Sequence, residues 1–201
     1  MSSGYFRHDT EDKKNNNEAS PDMVKFLRIP WDRNYITVYY CTKTSAGSST
    51  FEWPAGSYCI GRYGGVCPDG FMDGSIRYDD EDRKNGNKKQ NPVPDYSQAM
   101  DSPQFRFCCR SDGRVSEPMF LPPDQPFGLW RHDGKCQEVK GMTEREWLVH
   151  YDSSNRRKDV SSCGGKHPDN DNCSGRDMYM WYCSYNPDVG LIQGADAIPS
   201  V

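Results

Sequence analysis

The chain has 201 residues and a formal net charge of −4, and it is rich in cysteine (nine), tyrosine (twelve) and tryptophan (five). Val, Leu, Ile and Phe together supply only 29 of the 201 residues, which is below the ~20% under which disorder becomes a concern. The low net charge and the abundant aromatic residues argue against disorder. Leu and Ala together number eleven, which argues against a helical bundle. The charge favours neither nucleic acid nor an anionic membrane as partner, and no apolar run approaches the ~20 residues of a membrane span.

The nine cysteines indicate an oxidising compartment, because disulfides persist outside the cytosol and are rare within it. The chain nevertheless begins Met-Ser-Ser-Gly, without the apolar region of a secretory signal. We therefore expect a secreted protein whose signal peptide is absent from this chain and whose N-terminus is truncated.

One sequence pattern occurs three times along the chain. It begins at Gly4 as GYFRHDTEDKKNNN, at Gly74 as GSIRYDDEDRKNGNK and, degraded, at Trp147 as WLVHYDSSNRRKDVSS. Each copy is followed by an aromatic stretch that ends in a cysteine, at Cys41, Cys109 and Cys183. The pattern predicts a single domain, 1–201, made of repeats at 4–50, 51–118 and 119–185 with a period of about 70 residues, and a tail at 186–201.

Alternating short stretches such as YITVYYC predict strands, and Gly64-Gly65 and Asp112-Gly113 predict turns between them. Three such units predict an all-β, threefold pseudo-symmetric, β-prism-like domain with little helix, since trefoil repeats usually run shorter. A segment with WP and CP motifs precedes the second copy at 53–71, and a degraded one precedes the third at 121–139, but none precedes the first. We expect about 20 residues of the first repeat to be missing.

The repeats also predict the disulfides, because a bridge of one repeat should recur in the next. The expected pairs are Cys67–Cys109, Cys136–Cys183, Cys59–Cys108 and Cys163–Cys173. Cys41 is expected to be free, since its partner would lie in the missing segment, and to be inert if it is buried. Zinc is the less favoured alternative: no CxxC occurs, and His167 between Cys163 and Cys173 leaves too few ligands.

Two acidic turns are the strongest local candidates for a ligand site. Their residues are Asp9, Glu11, Asp12, Asp79, Asp80, Glu81 and Asp82. Clustered carboxylates suit an amino sugar or, as a weak possibility at Asp79, Glu81 and Asp82, calcium. A structural turn, in which the carboxylates cap backbone N–H groups, is favoured over both, because a turn that defines the fold recurs wherever the fold does.

Aromatic and basic residues supply further candidates for glycan binding. The aromatic candidates are Trp53, Tyr58, Tyr63, Trp130, Trp147 and Trp181. Tyr63 and Trp130 lie in loop-like sequence and offer flat faces for sugar, whereas Trp147 and Trp181 are interpreted as core. Arg110 is a candidate for binding a carboxylate. No catalytic site is predicted, because the four histidines are scattered and adjacent carboxylates on one turn rarely differ enough in pKa for hydrolysis.

Several motifs together resemble the C-terminal domain of apextrin, known as ApeC. They are WPAGSYCI, CPDGFMDGSIRYDDEDRKNGN, FRFCCRSDG, LPPDQPFGL and CQEVKGM, and the resemblance runs from Gly4 to about Cys183. More weakly, CP-x-GF followed by an acidic turn is similar to vitelline membrane outer layer protein, a threefold β-prism. The family normally carries a signal peptide and a further WP…CP segment ahead of the stretch that begins here at Gly4.

The resemblance implies an extracellular module of innate immunity that recognises bacterial surface material, chiefly peptidoglycan. From the candidate residues we expect no enzymatic activity and no cofactor. The alternative is a structural or adhesive module of extracellular matrix, whose partner is another protein. Binding to insoluble peptidoglycan separates the two hypotheses.

Overall fold

The computed structural model shows an all-β protein with four disulfides. It describes residues 2–10, 17–19, 31–32, 35–42, 52–80, 86–97, 102–121, 125–152, 161–171, 173–174 and 177–188. Within these ranges no helix is long and apolar enough to span a membrane.

The described residues form twelve strands, several of them built from runs of aromatic and β-branched side chains that suit a pleated surface. They are β1 (Ser2–Asp9), β2 (Glu18–Ala19), β3 (Trp31–Asp32), β4 (Tyr35–Thr42), β5 (Ser57–Gly61), β6 (Met72–Arg77), β7 (Lys88–Gln90), β8 (Gln104–Ser111), β9 (Phe127–Arg131), β10 (Met142–Tyr151), β11 (Ser162–Gly165) and β12 (Met178–Pro187).

Three long antiparallel pairs, β1–β4, β6–β8 and β10–β12, form the framework. Each pair takes both strands from one of the predicted repeats. Their registers match: the residues that lie opposite one another are Ser3 and Cys41, Asp73 and Cys108, and Glu146 and Cys183.

These pairs lie in two sheets. The first belongs to a four-stranded sheet in the order β3-β4-β1-β7. The other two are joined through β5 and β9 into an eight-stranded sheet in the order β11-β6-β8-β5-β9-β12-β10-β2. Among the described strands, neither sheet closes on itself. The all-β class and the disulfide content are confirmed, whereas the threefold prism and the repeat boundaries stay predictions.

Short strands from the connections link the three pairs to one another. The connection between β1 and β4 supplies β2, which pairs with β10; the connection between β6 and β8 supplies β7, which pairs with β1. The connection between β10 and β12 supplies β11, which pairs with β6. Each long pair therefore gives a strand to one pair and receives a strand from the other.

Aromatic side chains fill the centre, where a leucine core would otherwise lie. His8, Tyr78 and Tyr151 occupy the same position in the three copies of the sequence pattern, and all three are buried. Their ring centroids are 4.6 Å (His8–Tyr78), 5.2 Å (Tyr78–Tyr151) and 5.5 Å (His8–Tyr151) apart. Contacts at these separations stabilise the fold beyond the area they bury.

A second aromatic group surrounds Trp130 on β9. Its indole ring lies 6.1 Å from Tyr40, 5.2 Å from Phe107 and 6.0 Å from Tyr182, measured between ring centroids. These three neighbours occupy equivalent positions in the long pairs. Each directly precedes a cysteine at a matching register position, namely Cys41, Cys108 or Cys183. Trp130 thus packs where the three long pairs meet.

Two of the four expected bridges form, Cys136–Cys183 and Cys163–Cys173, and Cys41 is free. The other two expected pairs, Cys67–Cys109 and Cys59–Cys108, are wrong, since the structure has Cys59–Cys109 and Cys67–Cys108 instead. Cys41 is also exposed, so the burial that would make it inert is not observed.

Strand geometry explains the exchange. Cys59 lies directly opposite Cys109 in the β5–β8 register, with the Cα atoms 4.1 Å apart. Because successive side chains of a strand point to opposite faces, Cys108 faces the other way and meets Cys67 from the loop after β5. In the registers of the long pairs, Cys183 on β12 corresponds to Cys108 on β8 and not to Cys109. The comparison of the repeats had aligned Cys183 with Cys109, so it predicted the repeated bridge at the neighbouring cysteine.

Candidate functional site

The first acidic residues of both predicted turns are buried. Asp9, Asp79 and Asp80 expose 3%, 3% and 1% of their surface. Asp9 accepts a hydrogen bond from the Gly86 backbone N–H, and Asp80 accepts one from the Asn87 amide at 2.8 Å. The side-chain oxygen Oδ1 of Asn87 in turn accepts a hydrogen bond from the Asp9 backbone N–H at 2.6 Å. These contacts favour the structural interpretation of the turns over a ligand site.

Asn17 makes the equivalent contacts at the next junction. Its side-chain oxygen Oδ1 accepts a hydrogen bond from the Asp152 backbone N–H at 2.9 Å, and its side-chain Nδ2 donates to the Thr10 hydroxyl at 2.5 Å. Asn17 and Asn87 each directly precede a short linking strand, β2 or β7. Each asparagine therefore fastens its own turn to the turn of another long pair.

The remaining acidic candidates, Glu11, Asp12, Glu81 and Asp82, lie outside the described residues. The weak calcium prediction depends on two of them and stays a prediction.

In the part of the chain that the structure describes, two groups of cysteine and histidine come close enough to resemble metal sites. They are Cys59 with Cys109 and His132, and Cys163 with His167 and Cys173. In both groups the cysteines form a disulfide with each other, so neither offers the thiolate that binds metal.

The predicted aromatic candidates differ in their surroundings. Trp130 is partly buried among three other rings, as described above, so its faces contact protein. Tyr63 lies in the loop after β5 with 51% of its surface exposed. Of the two, only Tyr63 offers a free face to a ligand.

Arg110 on β8 is buried, with 7% of its surface exposed, and its guanidinium is occupied by protein. It donates to both oxygens of Asp112 and, at 2.6 Å, to the Trp53 carbonyl oxygen. The Arg110 hydrogen bonds are the largest of the effects that lower the pKa of Asp112 to about 2, from an ordinary value of 3.8. Arg110 is therefore a residue that positions the segment around Trp53.

That segment forms one wall of a cleft of about 430 Å³, which is the principal candidate site. The residues that line it are Glu52, Trp53, Pro68, Asp69, Gly70 and Arg110. The Trp53 ring packs against Phe71 and Tyr58, with centroid separations of 6.1 Å and 6.3 Å. Glu52 and Asp69 are exposed at the opening. The cleft combines one aromatic ring with two carboxylates and a buried arginine.

Gly70 shapes this cleft through its backbone. Its φ of +83° lies in the left-handed region that glycine adopts without strain. A Cβ placed there would lie 2.8 Å from the Arg110 guanidinium. The Pro-Asp-Gly turn places Asp69 in the same cleft as Trp53, although sixteen positions separate them in the chain.

Among the cleft residues, sequence reasoning selected Arg110 as a ligand and Trp53 as one aromatic among several, and it missed Glu52 and Asp69. The available signal was the pair of WP and CPDG motifs on either side of β5. Cys67–Cys108 holds the second motif against β8, and that bridge was wrongly predicted.

A family model for ApeC, the C-terminal domain of apextrin, matches residues 1–185. The chain belongs to the ApeC family. Membership indicates an extracellular module of the apextrin family, in agreement with the four disulfides. No curated protein and no solved structure matches the chain significantly.

A second, smaller cleft of about 250 Å³ lies beside β2. It is lined by Glu18, Ala19, Leu148, His150 and Tyr179. The rings of His150 and Tyr179 stack on each other with their centroids 4.4 Å apart, so each ring covers one face of the other.

Proposed function

We propose that this ApeC domain is a secreted pattern-recognition module that binds bacterial cell-wall glycan, chiefly peptidoglycan, in the Trp53 cleft. The observation that carries the proposal is the pairing of the Trp53 ring with the exposed carboxylates of Glu52 and Asp69 in one concave site. An aromatic face packs against the C–H face of a sugar ring, and carboxylates accept hydrogen bonds from its hydroxyl and amide groups.

The same cleft suits the peptide that is attached to cell-wall glycan. The amine of such a peptide pairs with carboxylates, and Glu52 and Asp69 are the exposed acids of the cleft. Arg110 is already bound to Asp112, so its charge is balanced within the protein. Tyr63, exposed in the loop before Cys67, lies close in sequence to the cleft wall and is a candidate to extend the site.

We assign no enzymatic role to the domain. Glycoside hydrolysis needs one carboxyl group whose pKa is raised in a dry, apolar environment and a second that stays ionised. Glu52 and Asp69 both lie in exposed positions, which favours binding without turnover.

We also infer that the three long strand pairs are related by a threefold pseudo-symmetry that is hidden by the fusion of two of them into one sheet. The matching registers, the central contacts of His8, Tyr78 and Tyr151, and the cyclic exchange of β2, β7 and β11 all support this inference. It places the Trp53 cleft in the second of the three units.

Pull-down on insoluble peptidoglycan at physiological salt tests the proposed function. We expect the wild-type chain to sediment with the polymer and the double variant Glu52→Gln, Asp69→Asn to lose at least about tenfold in affinity, since each charged hydrogen bond is worth about 1.5–3 kcal/mol. Both substitutions keep the shape of the side chains and lie in exposed positions, so folding should be unaffected.

Glu117→Gln is the matched control, because Glu117 is an exposed acid outside the cleft. Equal binding of the control and the double variant would contradict the assignment of the cleft. If the folded wild-type chain does not bind peptidoglycan, the result would favour the alternative, a structural or adhesive module of the extracellular matrix.

A further inference from the structure

The segment that runs from β11 toward β12 holds two cysteines and a histidine close together. Cys163 lies on β11, and Cys173 is joined to it by a disulfide across ten positions of the chain. The Nε2 atom of His167 lies 3.7 Å from the Cys173 sulfur, and the three possible ligand atoms all lie within 4.8 Å of one another. Two sulfurs and one imidazole nitrogen are ligands that suit zinc, whereas calcium and magnesium take oxygen.

The ring of His167 is already oriented as a metal ligand. Its Nδ1 lies 2.8 Å from the Pro168 carbonyl oxygen, which can accept a hydrogen bond but cannot donate one. Nδ1 therefore carries the proton, and Nε2 presents its lone pair beside the sulfur of Cys173. Metal-binding histidines commonly donate their second ring N–H to a backbone carbonyl in this way, which fixes the tautomer and the ring orientation.

The distance from His167 to Cys173 also suits zinc. Bonds of ~2.3 Å to sulfur and ~2.0 Å to nitrogen at a tetrahedral angle place the two ligand atoms about 3.5 Å apart, close to the 3.7 Å observed. The same geometry places two zinc-bound sulfurs about 3.8 Å apart, which is too far for a disulfide. The ligand set is therefore available when the bridge is reduced.

This bridge is also exposed to a reductant on both sides. Cys163 and Cys173 are each partly exposed. Each of the other three bridges contains at least one cysteine with no more than 2% of its surface exposed, namely Cys108, Cys109 or Cys183. Because a thiolate must reach a sulfur in order to attack it, we expect Cys163–Cys173 to be reduced first.

Contacts other than the disulfide hold this segment in place. β11 pairs with β6 over Ser162–Gly165, and the Lys166 backbone N–H donates to the Asp73 carbonyl oxygen at 3.1 Å. Asp169 accepts a hydrogen bond from the Arg131 guanidinium at 2.8 Å and donates its backbone N–H to the Arg131 carbonyl oxygen at 2.8 Å. We therefore expect the three ligand groups to stay close together after the bridge opens.

We propose that Cys163, His167 and Cys173 form a redox-dependent zinc site. When a dithiol reductant cleaves the bridge, the two thiolates and Nε2 of His167 bind one Zn²⁺. Three protein ligands are too few for a closed structural site, but they are the usual number for an open site whose fourth position holds water. The ion then links the two ends of the segment in place of the disulfide. The proposal does not depend on glycan binding.

The reduction step balances with the dithiol as reductant. One of its thiolates attacks a sulfur of the bridge and forms a mixed disulfide, and the other cysteine sulfur leaves with the electron pair of the broken bond. The second thiolate of the dithiol then displaces the remaining cysteine, so the reductant ends as a disulfide and the protein ends with two thiols. Zinc binding releases the two thiol protons to the buffer.

The test uses the full chain with Cys41→Ser, because Cys41 is an exposed free thiol that would otherwise bind metal or reductant. A limiting amount of a small dithiol is added without oxygen and then removed, and alkylation followed by mass mapping identifies the cysteines that have opened. Zinc alone is then titrated in competition with a chromophoric chelator. We expect Cys163 and Cys173 to open first, and the opened chain to bind one zinc at least about a hundredfold more tightly than the untreated chain.

Two variants separate the imidazole from the sulfurs. His167→Ala should weaken zinc binding at least about tenfold, since even the loss of a group that orients a ligand costs about 10–100-fold. Lys166→Ala is the matched control, because it changes the neighbouring residue, which is not one of the three ligands, and its zinc affinity should be unchanged. The double variant Cys163→Ser, Cys173→Ser should bind zinc no better than the untreated chain.

Equal zinc affinity of the opened and the untreated chain would overturn the proposal, and so would equal affinity of His167→Ala and Lys166→Ala. Earlier opening of another bridge would contradict the order of accessibility on which the proposal rests. Urea unfolding of the opened chain provides the last check, because a chain that is unfolded before zinc is added would contradict the role of the other contacts in holding the segment. None of these results bears on peptidoglycan binding.

Discussion

Asp112 and Arg110 form the ion pair that supports the wall of the Trp53 cleft. Asp112 also accepts a hydrogen bond from the Gly56 backbone N–H at 3.1 Å, in the turn that follows Trp53. A single carboxylate therefore holds together the end of β8 and the turn before β5. The hydrogen bonds from Arg110 are the main reason that the pKa of Asp112 falls to about 2.

The lowered pKa predicts how stability changes with acid. Below the ordinary value of 3.8 the unfolded chain binds the proton more readily than the folded chain, so the contribution of Asp112 is complete above about pH 4 and disappears as the pH falls through 2. We expect Asp112→Asn to cost at most about 1 kcal/mol at pH 7, because 45% of the carboxylate side chain is exposed.

Urea unfolding of the wild type and Asp112→Asn at pH 7 and near pH 2 measures this. The difference in free energy of unfolding should shrink in acid. A difference that is the same at both pH values would contradict the assigned ion pair.

At the scale of elements, the short strands β2 and β7 depend on the asparagine that precedes each of them. Asn87 joins the Asp9 backbone N–H to the Asp80 carboxylate, and the two groups belong to different long pairs. Loss of this side chain leaves a buried donor and a buried acceptor without that partner, which is more costly than the loss of an exposed contact.

We expect Asn87→Ala to lower the free energy of unfolding by about 1–3 kcal/mol. Lys88→Ala is the control, since Lys88 is the exposed next residue, and its effect should stay within about 0.5 kcal/mol. The midpoint of urea unfolding at unchanged slope measures both. Equal, small effects of the two substitutions would show that the asparagine does not fasten the turns.

The acidic turns also show how far sequence reasoning reaches at this scale. The repeated pattern located Asp9 and Asp79 at matching positions and favoured a structural role for the turns. Their burial was not visible, because the partner of Asp9, Asn87, lies 78 residues away. A contact of that range follows only from the pairing of β7 with β1.

For the whole molecule, the sequence was sufficient for the all-β class, for the family, for Cys41 as the free thiol and for the two bridges of the third repeat. It failed at Cys108 and Cys109, because two adjacent cysteines differ only in the face of the strand to which they point. The β6–β8 register decides which of the two cysteines corresponds to Cys183. This register could not be seen in the sequence, because the loops of the repeats differ in length.

The cleft was difficult to foresee for a related reason. Trp53 and Asp69 precede and follow β5, and they converge only because Cys67 is bonded to β8 and Gly70 turns the chain toward Arg110. Because the cleft is formed by two motifs that a disulfide holds together, it could be predicted only if that disulfide was predicted correctly.

The central claim is that cell-wall glycan binds in the Trp53 cleft, and an NMR titration of the labelled protein with a soluble muropeptide tests it most directly. The account predicts that the indole N–H signal of Trp53 and the amide signals of Glu52, Asp69 and Gly70 shift together with one saturating affinity, while the indole signal of Trp147, a buried residue outside the cleft, stays in place. No shift at saturating muropeptide, or shifts confined to residues away from the cleft, would contradict it.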